Sequence, residues 1–154
     1  MVPIRSGFDP ATFEWDGIAE REYKPSEGDA RGMGWKGVTR RTLARADELP
    51  AGFDVRYFEF EPGGYSSLER HEHPHFVVTI RGSGRALVGT TMIELAPFDA
   101  VHVPPMTPHR WLNESSEPFG FLCTVDRDRD RPQPVSDAEW DELRAQPATA
   151  PYVF

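Results

Sequence analysis

Glu69-Arg70-His71-Glu72-His73-Pro74-His75 decides how this chain is read, and all five of its histidines fall between His71 and His109. In a β-strand, side chains point to one face at every second residue, so Glu69, His71, His73 and His75 can converge on one point. Imidazole and carboxylate are the ligand types of Zn, Fe, Mn, Ni and Cu. Burying four such groups without a partner is costly, and His109 offers a further donor, so a metal site is expected. His102 is read as a surface or satisfied core residue.

Around that stretch the chain breaks into short β-type runs. They are 37–39, 55–60, 76–80, 86–88, 92–95, 101–103, 110–112 and 119–124, punctuated by Glu61-Pro62-Gly63-Gly64, Arg81-Gly82-Ser83-Gly84 and Gly89-Thr90-Thr91. Many short strands joined by Gly/Pro turns predict an all-β sandwich or barrel. Residues 1–36 carry Phe8, Phe13, Trp15, Tyr23 and Trp35, too aromatic for a disordered tail, and are read as an arm packed on the body or on a second subunit. Residues 37–126 form the β domain and 127–154 a tail. In the tail, Ser136-Asp137-Ala138-Glu139 is a capping-box signature that starts a short helix around 139–145, with Trp140 and Leu143 as its docking face. The alternating run Asp126 to Arg131 reads as a solvated, self-neutralising segment.

A chain of 154 residues, 38% hydrophobic and 12% aromatic, suits one domain with a single core. A formal charge of −8 disfavours nucleic acid or an anionic membrane as partner, because both need a basic footprint. A small molecule is the expected ligand. The single cysteine, Cys123, excludes a Cys-rich zinc site and reads as a small core residue. No apolar signal core is visible at Met1 to Ser6, and no stretch approaches the roughly 20 apolar residues of a membrane span, so a cytoplasmic protein is expected.

Two motifs carry a family resemblance. The first reads Gly63, five residues, Glu69, Arg70, His71, three residues, His75, six residues, Gly82. The second reads Phe98, five residues, Pro104, Met106, then His109 and Asn113. The chain resembles the cupins, whose first motif has Gly, His, His, Glu and Gly at those positions and whose second has Gly, Pro, Gly, His and Asn. Here Glu69 and His75 exchange types, and Phe98 and Met106 replace both second-motif glycines. The resemblance covers residues 37–126. It implies a double-stranded β-helix (jelly-roll) barrel holding one divalent transition metal, Fe first, with Mn, Ni, Zn or Cu as alternatives.

That alignment makes Glu69, His71, His75 and His109 the metal ligands. A competing register, with the literal His71-x-His73 pair, gives His71, His73 and His109. In the first register His73 is an inward neighbour able to hydrogen-bond ligand or substrate, and Glu69 becomes a general base if it is not coordinated. Alternation then puts Tyr65, Ser67, Val77 and Thr79 on the face of His71 and His75, and Trp111 and Asn113 on that of His109, as the substrate-binding lining of a mostly apolar pocket. Arg81, Arg85 and Arg110 are candidate anion holders, with Arg81 and Arg110 in an outward phase.

Because the family hosts many chemistries, fold does not choose among them. The leading expectation is an Fe(II) dioxygenase. A metal-dependent isomerase, lyase or decarboxylase, or a non-catalytic small-molecule binder, are the alternatives. Exposed strand edges and the family habit together imply a homodimer.

Overall fold

A single long strand organises the molecule. In the computed structural model, which describes residues 4–25 and 30–154, strand Phe53–Tyr65 (β5) runs beside Lys36–Ala44 (β4) and Phe119–Asp126 (β12). Its tip pairs Tyr65 with Leu112 of His109–Leu112 (β11). One layer thus reads Ala100–Val103 (β10), His75–Arg81 (β7), β12, β5, β4 and Glu20–Glu22 (β3). The other holds Thr91–Leu95 (β9), Gly84–Val88 (β8), β11, Glu69–Arg70 (β6) and Gln133–Pro134 (β13). Every pairing is antiparallel, and the curled sheet encloses a core built on Phe58, Phe60, Val77, Trp111, Phe119 and Phe121.

The expected strands are present, each extended by at least one residue and β4 and β5 extended most. The continuous alternation expected from Glu69 to Ile80 is broken. Strand β6 ends at Arg70 and β7 starts at His75, because Pro74 offers no N–H and the amides of Glu72 and His73 donate instead to the Asp130 carboxylate (2.8 and 3.0 Å). The run Asp126 to Arg131 is therefore tied to the body: Asp130 holds this loop and Arg129 pairs with Asp54 at 2.8 Å.

Both first-motif glycines adopt the left-handed backbone, Gly63 at φ 76 and Gly82 at φ 60. A Cβ on Gly82 would stand 2.2 Å from the Pro118 carbonyl oxygen, so the turn admits only glycine. These are the two anchors of the first register.

The arm folds back on its own body. Phe8–Asp9 (β1) and Glu14–Trp15 (β2) form a hairpin whose Phe13 and Trp15 rings lie 5.5 and 5.1 Å from buried Tyr57, while β3 pairs with β4. At the other end, helix Asp137–Ala145 (α1) starts with both halves of the Ser136/Glu139 capping box and buries Trp140 and Leu143 against Leu68, Leu87 and Val153. Such a cap contributes about 1 kcal/mol. No helix among the described residues is long and apolar enough to cross a membrane.

Candidate metal centre and its cavity

Three of the β-layer strands deliver histidines to one point. His75 opens β7, His109 opens β11 with Glu69 as its cross-strand partner, and His71 sits just past β6. One donor nitrogen from each of His71, His75 and His109 lies within 4.8 Å of the other two. The His71 and His75 Nε2 atoms approach to 2.8 Å.

Hydrogen bonds fix how these rings present themselves. His71 Nδ1 donates to the His73 carbonyl (2.7 Å) and His109 Nδ1 donates to the Thr107 carbonyl (2.9 Å). A carbonyl can only accept, so Nδ1 carries the proton and Nε2 offers its lone pair to the centre. Burial keeps the rings neutral: it pulls His71 down to about 4, assisted by His109 and His73, and lowers His75 and His109 too. A set of neutral imidazoles sharing one point is compatible with a divalent transition metal.

Glu69 stands beside this trio and outside the 4.8 Å group. Its Oε2 accepts from Lys24 Nζ (2.6 Å) and from the Ser67 hydroxyl, which itself accepts from Tyr23 (3.3 Å). Burial pushes the carboxyl upward, but the Lys24 ammonium and the Ser67 hydroxyl help hold it below the usual range, hence ionised. His73 stacks on His71 (ring centroids 3.7 Å apart, planes 5° apart) and bonds Asp130 through Nδ1 at 2.7 Å. His71, His73 and Asp130 make a second group of possible ligands.

The histidines floor a cavity of about 190 Å³. Alternate residues of β5, Arg56, Phe58 and Phe60, face it, with Phe121 and Cys123 across the ladder and Trp111 from β11. Of the six residues expected to line the pocket, only Trp111 does. Tyr65 packs edge-on against Phe154 at 5.0 Å. Ser67 lies behind Glu69, Val77 is in the closed core, and Thr79 is turned to the carbonyls of Ala96 and Asp99. Asn113 ties the Phe60 and Glu117 carbonyls (2.9 and 2.8 Å). Strand phase gives a face, but only sheet curvature decides which part of that face meets the cavity.

The cationic residues also redistribute. Arg110 is fully buried, its guanidinium donating to the carbonyls of Ser66, Gly32, Tyr152 and Phe154. Arg81 pairs with Glu59 at 2.7 Å and Arg85 with Glu94 and Glu114 at 2.9 Å each. The cavity instead takes Arg40, Arg56 and Arg129, together with Tyr23 and Lys24 from the arm. Cys123 is on this wall as well, with Sγ 3.1 Å from His75 Nδ1 and 3.7 Å from Arg56 Nη2. None of these carries a spacing signal. Their role depends on strands far apart in sequence.

Comparison with known proteins agrees with the geometry. The cupin domain family model matches residues 56–125. The 1-methylthio-D-xylulose 5-phosphate methylsulfurylase of Rhodospirillum rubrum is 38% identical over 141 residues, covering 92% of this chain and 86% of that protein. A cupin 2 conserved barrel domain protein from Rhodopseudomonas palustris superposes with a TM-score of 0.83 at 36% identity, over 96% of this chain and 97% of that one. A sugar phosphate isomerase of the cupin superfamily from Silicibacter pomeroyi gives a TM-score of 0.58 at 26% identity, covering 72% of each chain. With its jelly-roll strand order, its left-handed motif glycines and these relatives, the chain belongs to the cupin superfamily as a small single-domain member.

Proposed function

We propose that the protein is a divalent-metal-dependent enzyme that moves a proton beside the ketone of a small, sulfur-bearing sugar phosphate, with His71, His75 and His109 holding the ion. The observation that carries this reading is the 38% identity, over 92% of the chain, to a protein named for its action on 1-methylthio-D-xylulose 5-phosphate. The relative described as a sugar phosphate isomerase supports the same substrate class.

A divalent cation on the three Nε2 atoms would supply Lewis-acid polarisation of a carbonyl and acidify the adjoining C–H. Glu69 is the proton acceptor, because it is ionised, lines the cavity and is held in place by Lys24 and Ser67. Turned toward the trio, the same carboxylate would complete a four-ligand set. His73, clamped by Asp130 against the His71 ring, positions that ring. Phe58, Phe60, Trp111 and Phe121 keep the reacting end dry, which strengthens every charge interaction there.

Oxygen activation with Fe(II) in the same histidine set is the second reading, favoured by that aromatic wall, which suits an apolar substrate. Two assays, one anaerobic and one aerobic, separate the readings. Protein loaded with Mn(II), Zn(II) or Fe(II) is given 1-methylthio-D-xylulose 5-phosphate in D2O without oxygen. Deuterium entering beside the ketone, and lost in Glu69→Gln, supports the first. Absence of exchange with every metal, alongside oxygen uptake over a panel of diketones, thiols and phenols, would replace it with the second.

A further inference from the structure

Against a net charge of −8, this chain gathers arginines at its cavity. Arg40, Arg56 and Arg129 line both the cavity and an adjoining hollow of about 310 Å³, so they form the wall between the two. Six arginines border that hollow against two aspartates, Asp47 and Asp54. We propose that Arg40, Arg56 and Arg129 form a subsite for the phosphate monoester of a ligand whose other end reaches His71, His75 and His109. The proposal rests on the sugar phosphate part of the reading above.

The strands explain the placement. Arg56 stands one alternation beyond Phe58 on β5, and Arg40 is the cross-strand partner of Phe58 on β4. Both guanidiniums therefore sit at the outer end of the aromatic wall. The Cys123 sulfur alone separates Arg56 Nη2 from His75 Nδ1, so the cations and the histidine floor belong to one continuous surface.

Like charges brought together and partly desolvated need a counter-charge. Burial, then Arg56, Arg129 and Arg21, hold Arg40 below its ordinary value. The Nε atoms of Arg40 and Arg56 are buried with no hydrogen-bond partner among the described residues. Asp54 pairs with Arg129 at 2.8 Å and acts on Arg56 only through space, while Asp47 is engaged by Arg45, so two carboxylates stand against the six arginines of the hollow. A phosphate dianion has the oxygens to satisfy several planar guanidinium forks at once.

The test is calorimetric titration of the full chain, loaded with Mn(II), using D-xylulose 5-phosphate, D-xylulose and inorganic phosphate. The phosphorylated sugar should bind at least about 100-fold more tightly than the free sugar, and inorganic phosphate should compete with it. Arg40→Gln and Arg56→Gln should each weaken D-xylulose 5-phosphate about tenfold while leaving D-xylulose unchanged, and Arg56→Lys should recover part of that loss. In turnover the same variants should raise KM for the phosphorylated substrate more than they lower kcat. Equal affinity for the two sugars, equal losses for both in the variants, or no competition by millimolar phosphate overturns the subsite. Because binding is read without turnover, a chain that holds D-xylulose 5-phosphate through these arginines yet exchanges no proton removes the proposed reaction and leaves the subsite standing.

Discussion

Phe98 and Met106 occupy the left-handed region, at φ 75 and φ 56, at the two positions where the second cupin motif has glycine. The backbone has kept the turn geometry while the residue that best suits it is gone. A side chain there costs roughly 1–2 kcal/mol, of which the extra chain entropy of glycine returns about half. Phe98 is 79% exposed, so little packing would be lost. Phe98→Gly is expected to stabilise the fold by about 0.5–1 kcal/mol in urea unfolding, and a destabilised variant would contradict this account. Arg110 is the opposite case. Five hydrogen bonds to four carbonyls and a cation–π contact at 4.3 Å with Phe154 tie the last residues to the barrel. Arg110→Met takes away the donor to the buried Ser66 carbonyl and the tie to Tyr152 and Phe154, and should cost about 2–4 kcal/mol. At this scale the sequence pointed to His71, His75 and His109, which lie at motif spacing and which the fold brings together. It hid Arg110, since an inward-facing arginine and an outward one have the same strand phase until a C-terminal segment covers one of them.

His71 stands on a loop, whereas His75 and His109 open strands. Residues between β6 and β7 leave the ladder, and Asp130 replaces it by accepting from two backbone amides and the His73 ring. Although partial burial opposes ionisation, those three donors hold the Asp130 carboxyl well below the ordinary carboxylate range. A depressed carboxyl contributes stability above its unfolded value of about 4, and loses it as pH falls toward the folded value. Asp130→Asn should therefore melt below wild type at pH 7, and the gap should narrow as pH drops from 4 toward 2. It should also weaken metal binding by about 10–100-fold, as removal of a group that orients a ligand does. A gap that stays constant with pH would show that Asp130 acts only by packing. The helix at Ser136 was legible because a capping box is local, whereas the bond from Asp130 to residues 72 and 73 joins segments 57 and 58 positions apart. Alternating charges around it look solvated until the loop they hold is in view.

Across the whole molecule, the barrel was readable from short strands and turns, and the two layers are what those runs build when antiparallel neighbours curl around one core. The acidic balance led to the expectation of a small ligand but gave no sign of the local inversion, since a net charge averages away a cluster such as Arg40, Arg56 and Arg129. Dimer formation is a separate expectation. Strand β10 is a sheet edge, and Phe76, on the neighbouring β7, is 52% exposed. An open edge beside an exposed aromatic favours pairing with a second copy. Sedimentation velocity at tens of micromolar should give twice the 17.4 kDa chain mass, and a monomer there would refute it. Deleting the hairpin of β1 and β2 is a different perturbation, because it uncovers Tyr57, and should lower the melting temperature of the body itself.

Most directly decisive is anomalous diffraction from crystals of the full chain grown with Mn(II) and collected on both sides of the metal edge. The account predicts one peak per chain, about 2.0–2.3 Å from the Nε2 atoms of His71, His75 and His109, and its loss in His75→Ala. A peak between His73 and Asp130, or none at full Mn(II) exposure, would contradict it.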